Sequence, residues 1–268
     1  MSTTIKVVIA GPRGKMGMEA VKMVTATPEF ELVGVIDVAD NGKFLHEVDP
    51  RFRDVNCPIY TDAKECLEQT NPDCLVDFTV ADAGYKHIKI ALECGVRPVV
   101  GTTGFTSHQL KEFEQLAGEK EIGCIIAPNF AIGAVLMMKF SQMAARYFPD
   151  VEIIELHHDE KRDAPSGTAV KTAQMIDEVR QHKKQGHPEE RENIPGARGG
   201  DHSGMRIHSV RLPGLIAHQE VILGSKGETL TIRHDSYNRS SFMTGLKLAI
   251  KEVMNINGFV YGLENILF

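Results

Sequence analysis

No uncharged apolar stretch in this chain approaches the roughly 20 residues that a membrane-spanning helix requires, so no membrane role is expected. Nor is there a basic tract: 30 lysines and arginines against 36 aspartates and glutamates leave a formal charge of −6, without the positive footprint of a nucleic-acid binder. An anionic ligand must therefore be held by local groups. Cys57, Cys66, Cys74, Cys94 and Cys124 form no Cys-x-x-Cys pair, and their odd number argues against a complete disulfide framework. They are read as reduced and mainly structural. The opening Met1-Ser2-Thr3-Thr4 runs straight into an apolar strand-like segment, with no basic region, long apolar core or cleavage site of an export signal, so a cytoplasmic location is expected. What remains is a composition ordinary for a globular protein, 42% hydrophobic and 25% charged, over a length that accommodates one large domain or, as preferred here, two modest ones.

The first half carries a nucleotide-binding pattern. Ile5-Lys6-Val7-Val8-Ile9-Ala10 is followed at once by Gly11-Pro12-Arg13-Gly14-Lys15-Met16-Gly17 and a helix-compatible run to Thr25. The order strand, glycine turn, helix lets backbone approach a pyrophosphate whose charge is favoured by N–H groups at the helix start. The middle glycine of the Gly-x-Gly-x-x-Gly fingerprint is missing, with Arg13 in its place. A second strand, Phe30 to Ile36, ends in Asp37, about 20 residues beyond the turn, where an acidic side chain meets an adenine ribose. Asp37 also suits a plain strand end. Val38 follows it, so no arginine stands there to pair with a 2′-phosphate, which favours NADH slightly over NADPH; Lys43 can still reach a phosphate from the loop.

Three further segments end apolar strands in polar turns: Cys74 to Thr79, Pro98 to Gly104 and Ile122 to Phe130, with helical segments near residues 83–94 and 107–118 between them. Alternating strands and helices imply a parallel sheet that binds ligands beyond the carboxyl ends of its strands. Gly101, Thr102 and Thr103 then offer backbone and hydroxyl groups to nicotinamide or ribose, and Asn129 an amide that both donates and accepts.

In the second half, residues 131–148 read as a core helix with Leu136, Met137, Met138, Phe140 and Met143 as candidates for its buried face. Residues 151–156 read as a strand and 169–180 as a helix, while residues 181–204 form a polar loop. Strand-like runs over 205–212, 218–223 and 228–234 suggest an open, mostly antiparallel sheet. Between strand and helix lies Glu155-Leu156-His157-His158-Asp159-Glu160-Lys161-Arg162-Asp163-Ala164-Pro165-Ser166-Gly167-Thr168. A histidine that titrates near neutrality and a lysine are suited to proton transfer, and the Gly167 and Thr168 N–H groups at the helix start can receive a carboxylate. Adjacent strand residues point to opposite faces, so His157 and His158 are not expected to share a metal. The plainer alternative, a hydrogen-bonded histidine pair beside an ordinary helix cap, fits each residue singly but not the whole set.

Together, Val8 to Gly17, Asp77-Phe78-Thr79, Gly101-Thr102-Thr103-Gly104, Ala127-Pro128-Asn129-Phe130 and the segment 155–168 closely resemble the 4-hydroxy-tetrahydrodipicolinate reductase family, historically called dihydrodipicolinate reductase, over nearly the whole chain. The resemblance implies an α/β fold: a Rossmann-like dinucleotide-binding domain, 1–130 and 240–268, and an α+β substrate-binding and oligomerisation domain, 131–239, built on an open mixed, largely antiparallel sheet. It implies dinucleotide contact by Gly11, Pro12, Arg13, Gly14, Lys15, Met16, Asp37, Gly101, Thr102, Thr103, Ala127, Pro128, Asn129 and Phe130. It further implies His157 as proton donor or acceptor, Lys161 as proton donor, and His158, Gly167 and Thr168 as substrate-binding groups, with no metal. The implied reaction is NADH- or NADPH-dependent reduction of a small cyclic dicarboxylate to tetrahydrodipicolinate with net loss of water, in the diaminopimelate route to lysine, by a homotetramer. Val38, where some relatives carry arginine, puts a strong NADP preference in doubt. Two competing readings are another two-domain reductase, acting on an aspartate-derived semialdehyde, and a dinucleotide sensor on the same fold; neither predicts the full 155–168 cluster.

Overall fold

The computed structural model describes residues 4–268; Met1-Ser2-Thr3, part of the stretch read for an export signal, lies outside the described residues. The chain divides into two compact units, one running to Phe130 and resuming over Phe242–Phe268, the other Ala131–Ser241.

The first unit opens with β1 (Ile5–Ala10), α1 (Lys15–Thr25) and β2 (Phe30–Ile36), continues through α2 (Leu45–Val48), β3 (Ile59–Tyr60), α3 (Ala63–Thr70) and β4 (Cys74–Asp77), and then α4 (Ala81–Glu93), β5 (Arg97–Val100), α5 (Ser107–Lys120) and β6 (Cys124–Ile126). The second unit holds α6 (Ile132–Ala144), β7 (Asp150–His157), α7 (Gly167–Asp177), β8 (Gly200–His202), β9 (Met205–Arg211), β10 (Ala217–Ser225) and β11 (Glu228–Ser236). α8 (Met243–Glu252), β12 (Phe259–Tyr261) and α9 (Glu264–Leu267) belong to the first unit again.

β1 and β4 are buried on both faces, Val7, Val8, Ile9, Leu75 and Val76 being fully enclosed, which is why they read as continuous apolar runs instead of alternating ones. Their sheet has the order β12-β6-β5-β4-β1-β2-β3, every pairing parallel. This is the doubly wound arrangement, whose ligand crevice lies at the carboxyl ends of the strands. β12 extends the sheet beside β6, and Gly245 in α8 packs so tightly that a Cβ there would stand 2.0 Å from the Phe130 carbonyl oxygen. β3 and α3 carry no strong sequence signal, since β3 is two residues long and pairs with β2 at its last two positions.

In the second unit the sheet order is β11-β10-β7-β9-β8; β7 and β9 run parallel and the other pairs antiparallel, giving the expected mixed, largely antiparallel sheet. Along β7 burial alternates, with Val151, Ile153 and Glu155 enclosed and Glu152, Ile154 and Leu156 half-buried. The enclosed side is the one the helices cover: Gln219, opposite Glu155 on β10, donates to the Thr172 hydroxyl of α7 at 2.8 Å.

Two expectations need correction. Phe140 and Met143 on α6 are 47% and 55% exposed; the 3.6-residue period places Ala134, Met137, Met138 and Ser141 on the buried stripe and turns Phe140 and Met143 away from it. The polar segment 181–204 is not loop throughout, because its end forms the short strand β8 against β9. All five cysteines are free and four are buried; burial pushes the thiols of Cys57 and Cys66 up to about 12, as befits inert structural positions.

Candidate active site

In the first unit the turn after β1 is shaped by its glycines. Gly11 has a φ of +78°, and a Cβ at Gly17 would lie 1.9 Å from the Gly11 carbonyl oxygen, so α1 presses directly on the turn. Gly14 is the N-cap of α1 and supplies no side-chain acceptor, and the first turn of the helix contains no acidic residue. The amides of that turn are thus available to an anion, as a dinucleotide pyrophosphate requires. Lys15 is exposed beside them, and Met16 is half-buried.

Asp37 stands just past the end of β2 and is engaged by Arg13, whose Nε donates to its Oδ2 at 2.8 Å while Nη1 donates to Asp40 Oδ2 at 2.9 Å. Lys43 donates to the other Asp40 oxygen at 3.0 Å. The hydrogen bond to Asp37, opposed by partial burial and reinforced by Asp40, raises the Arg13 pKa further. Asp40 reaches this position from left-handed backbone, φ 69°. Arg13 and Lys43 are therefore held by carboxylates at the rim of the cradle, which the sequence spacing did not reveal.

Behind the other strand ends lies a second network that the sequence concealed. Asp77 is fully buried and accepts from His87 Nδ1 at 2.6 Å, the Thr102 hydroxyl at 2.6 Å, and the Thr79 hydroxyl and amide at 2.7 and 2.9 Å. Burial raises its pKa, but bonds from His87, Thr102 and Thr79 outweigh that and bring it below the usual value. Asp77 thus ties the loop after β4 to the loop after β5. Because the Thr102 hydroxyl is directed to Asp77, Thr102 has its backbone to offer a ligand, while Thr103 is exposed. A Cβ at Gly101 would stand 2.2 Å from the Phe78 ring, which in turn meets Phe130 edge to face. After β6, Ala127 is buried and its amide donates to Val100 O at 2.9 Å; Pro128 is exposed and Asn129 half-buried.

In the second unit the chemistry gathers where β7 meets α7. Glu155, with no exposed surface, accepts from His157 Nδ1 at 2.5 Å and from both terminal nitrogens of Arg211 at 2.7 and 2.8 Å. Its Oε1 also accepts the Ser166 amide at 3.2 Å. Burial alone would raise the Glu155 pKa; bonds from His157, Arg211 and Ser209 outweigh it and lower it to about 2. A carboxylate only accepts, so His157 Nδ1 carries a proton and Nε2 is the atom left for proton exchange.

Past the strand, the Lys161 amide donates to His158 O at 3.2 Å, closing a turn, and Lys161 Nζ donates to both Asp163 oxygens at 2.7 and 2.8 Å. Ser166 caps α7 by accepting from the Ala169 amide at 3.2 Å, which sets Gly167 and Thr168 in the first turn of an 11-residue helix. His158 Nδ1 is buried without a hydrogen-bond partner, a group that a ligand or water would satisfy. The structure therefore brings His157, His158, Lys161, Gly167 and Thr168 into one local junction. Glu155, visible in the sequence only as part of the segment, and Arg211, 56 positions away, are the additions. Among the described residues no three His, Cys, Asp or Glu side chains converge as a metal site, and no helix is long and apolar enough to cross a membrane.

Comparison with known proteins matches both halves of the chain to one family. The description dihydrodipicolinate reductase, N-terminus, matches residues 5–130, and dihydrodipicolinate reductase, C-terminus, matches residues 133–267. The 4-hydroxy-tetrahydrodipicolinate reductases of Bacillus pumilus (strain SAFR-032) and Bacillus subtilis (strain 168) are 65% and 63% identical over 264 residues, covering 98% of this chain and 98% of each relative. Among solved structures, a dipicolinate-bound dihydrodipicolinate reductase from Paenisporosarcina sp. TG-14 is 53% identical, with a TM-score of 0.88 over 98% of this chain and 100% of that one. An amine dehydrogenase from Mycobacterium smegmatis, 16% identical with a TM-score of 0.65 over 96% of this chain and 94% of its own, shares the fold.

Proposed function

Because the chain belongs to the dihydrodipicolinate reductase family, we propose that it reduces 4-hydroxy-tetrahydrodipicolinate to tetrahydrodipicolinate with NAD(P)H and net loss of water, in the diaminopimelate route to lysine. The observation that carries this reading is the junction of β7 and α7, where an oriented imidazole, an ammonium and a helix start stand within 14 residues of sequence, 155–168.

The glycine turn, the uncapped start of α1 and the loops after β4, β5 and β6 form the cradle for the dinucleotide, which supplies a hydride when bound. Loss of water leaves a conjugated ring, and hydride addition then places an electron pair on that ring which a proton must quench. Lys161 is the donor for that step through its ammonium, and His157, its Nδ1–H held by Glu155, exchanges a proton through Nε2, accepting one as the neutral ring and giving it back once protonated. The Lys161 partner Asp163 is 62% exposed, so the pair is weak, on the order of 0–1 kcal/mol, and a dianionic ligand can draw the lysine away. Gly167 and Thr168 amides at the positive end of α7 and His158 receive the carboxylates.

NADH is the preferred cofactor. What supports this is Asp37 just past β2, where this fold offers a carboxylate to a ribose diol, Val38 without a cation after it, and Arg13 already engaged by two carboxylates, which opposes capture of a 2′-phosphate. The enzyme works in the cytoplasm as a homotetramer, assembled through the face of the second sheet opposite α7, where Ile154, Leu156, Val210 and Ile222 are half-buried. The test is oxidation of NADH and NADPH with freshly generated 4-hydroxy-tetrahydrodipicolinate. Turnover by the unmodified protein, lost in a Lys161→Ala variant that still binds dinucleotide, is the expected result. Absence of turnover by folded, dinucleotide-binding protein would sink the reading.

A further inference from the structure

The carboxylate buried beneath the junction has no counterpart in ordinary core packing. Glu155 occupies the register of Val151 and Ile153 on the helix-covered face of the sheet, where an apolar residue would cost nothing in desolvation. It receives donors from three elements: His157 Nδ1 on its own strand, both ends of the Arg211 fork and the Ser209 side chain on β9, and the amide of Ser166, the N-cap of α7. Arg211 extends the connection, donating from Nη2 at 2.8 Å to the carbonyl oxygen of Asp163, whose side chain accepts from Lys161. The acid–base imidazole, the lysine turn and the anion-receiving helix start thus converge on a single ion pair.

We infer that Glu155, fixed by Arg211, is the positioning residue of this site, holding His157 with Nδ1 protonated and Nε2 directed to the reaction, and keeping the start of α7 in step with it. This rests on the proposed reductase reading. Glu155 touches no reacting atom; it acts through His157 and Ser166. An acceptor-only partner selects one imidazole tautomer, whereas an amide in its place both donates and accepts and so permits either. A buried pair of this kind does not by itself imply stability, since matched apolar residues often serve a core as well or better.

That difference makes positioning separable from stability. Three variants are measured in the full-length protein: Glu155→Gln, Arg211→Lys, and the double replacement Glu155→Met with Arg211→Met. Each is followed by thermal midpoint, by kcat and the KM for NADH, and by long-range ¹H–¹⁵N correlation of labelled histidines, with His157 assigned from a His157→Gln spectrum. Glu155→Gln is expected to lower kcat by roughly 10²-fold with the KM for NADH little changed, and to move the His157 ring nitrogens toward a mixture of tautomers. Arg211→Lys, which keeps charge but loses the fork, gives the same change in weaker form. The double variant regains the thermal midpoint and does not regain kcat. Recovery of kcat together with stability would overturn the inference, as would unmoved His157 ring signals and an unchanged kcat in Glu155→Gln. If the unmodified protein itself lacks turnover, the reductase reading fails, while the histidine signals still decide whether Glu155 sets the tautomer.

Discussion

Lys161 and Asp40 show how single side chains divide the work. Lys161 has an exposed partner that it can leave at little cost, so its replacement by alanine should lower kcat by about 10²–10³-fold while the KM for NADH stays nearly constant. Steady-state kinetics at saturating NADH reads this directly; an equal rise in the KM for NADH would place the lysine in cofactor binding instead. Asp40 holds both Arg13 and Lys43 beside the end of β2, at the rim of the proposed dinucleotide cradle. Asp40→Asn removes one negative charge near the position of a 2′-phosphate, a change on the order of 1 kcal/mol, and should raise kcat/KM for NADPH relative to NADH roughly fivefold. An unmoved ratio would show that this carboxylate does not set selectivity. Glu155 makes a pH prediction. Its pKa falls from 4.5 to about 2 on folding, so its stabilisation is complete above about pH 4.5 and is lost as the pH drops toward 2. Urea midpoints measured across that range should fall more steeply for the unmodified protein than for Glu155→Gln; parallel curves would contradict the held carboxylate.

Secondary-structure elements enter the account mainly through their ends. α1 approaches the Gly11 carbonyl so closely that Gly17→Ala cannot be accommodated without moving the turn or the helix. Dinucleotide affinity, measured by quenching or calorimetry, should fall more than tenfold even where the variant still folds; undiminished affinity would remove the turn from the cradle. Those element ends were also the most legible part of the sequence, because each is a local pattern: a glycine turn after β1, an acid after β2, a Ser-Gly-Thr helix start at α7. What remained hidden depends on distant pairing. Arg211 reaches Glu155 across a parallel strand pair, and His87 reaches Asp77 from the middle of α4, with no spacing rule that links either couple. The buried face of α6 is illegible for a different reason: its apolar residues surround the helix, so hydrophobicity alone does not say whether Phe140 or Ala134 points inward.

On the scale of the whole molecule, the proposed function gives the two units different parts of one reaction, and the proposed assembly face of the second sheet carries Ile154, Leu156, Val210 and Ile222 among polar neighbours such as Glu152, His208 and Glu220. Ile154→Lys places a charge on that face beside Glu220 of the neighbouring strand, where the single chain can tolerate it and an assembled interface cannot. Light scattering should show a tetramer for the unmodified protein and smaller species for the variant; an unchanged assembly would move the proposed interface elsewhere. The central claim, hydride transfer to a ring made from 4-hydroxy-tetrahydrodipicolinate, is tested most directly with NADH dideuterated at the nicotinamide C4. Mass spectrometry of the product should find tetrahydrodipicolinate carrying one deuterium, formed as the cofactor is oxidised. Cofactor oxidation with no deuterium in the ring, or unchanged substrate beside bound NADH, would contradict the account.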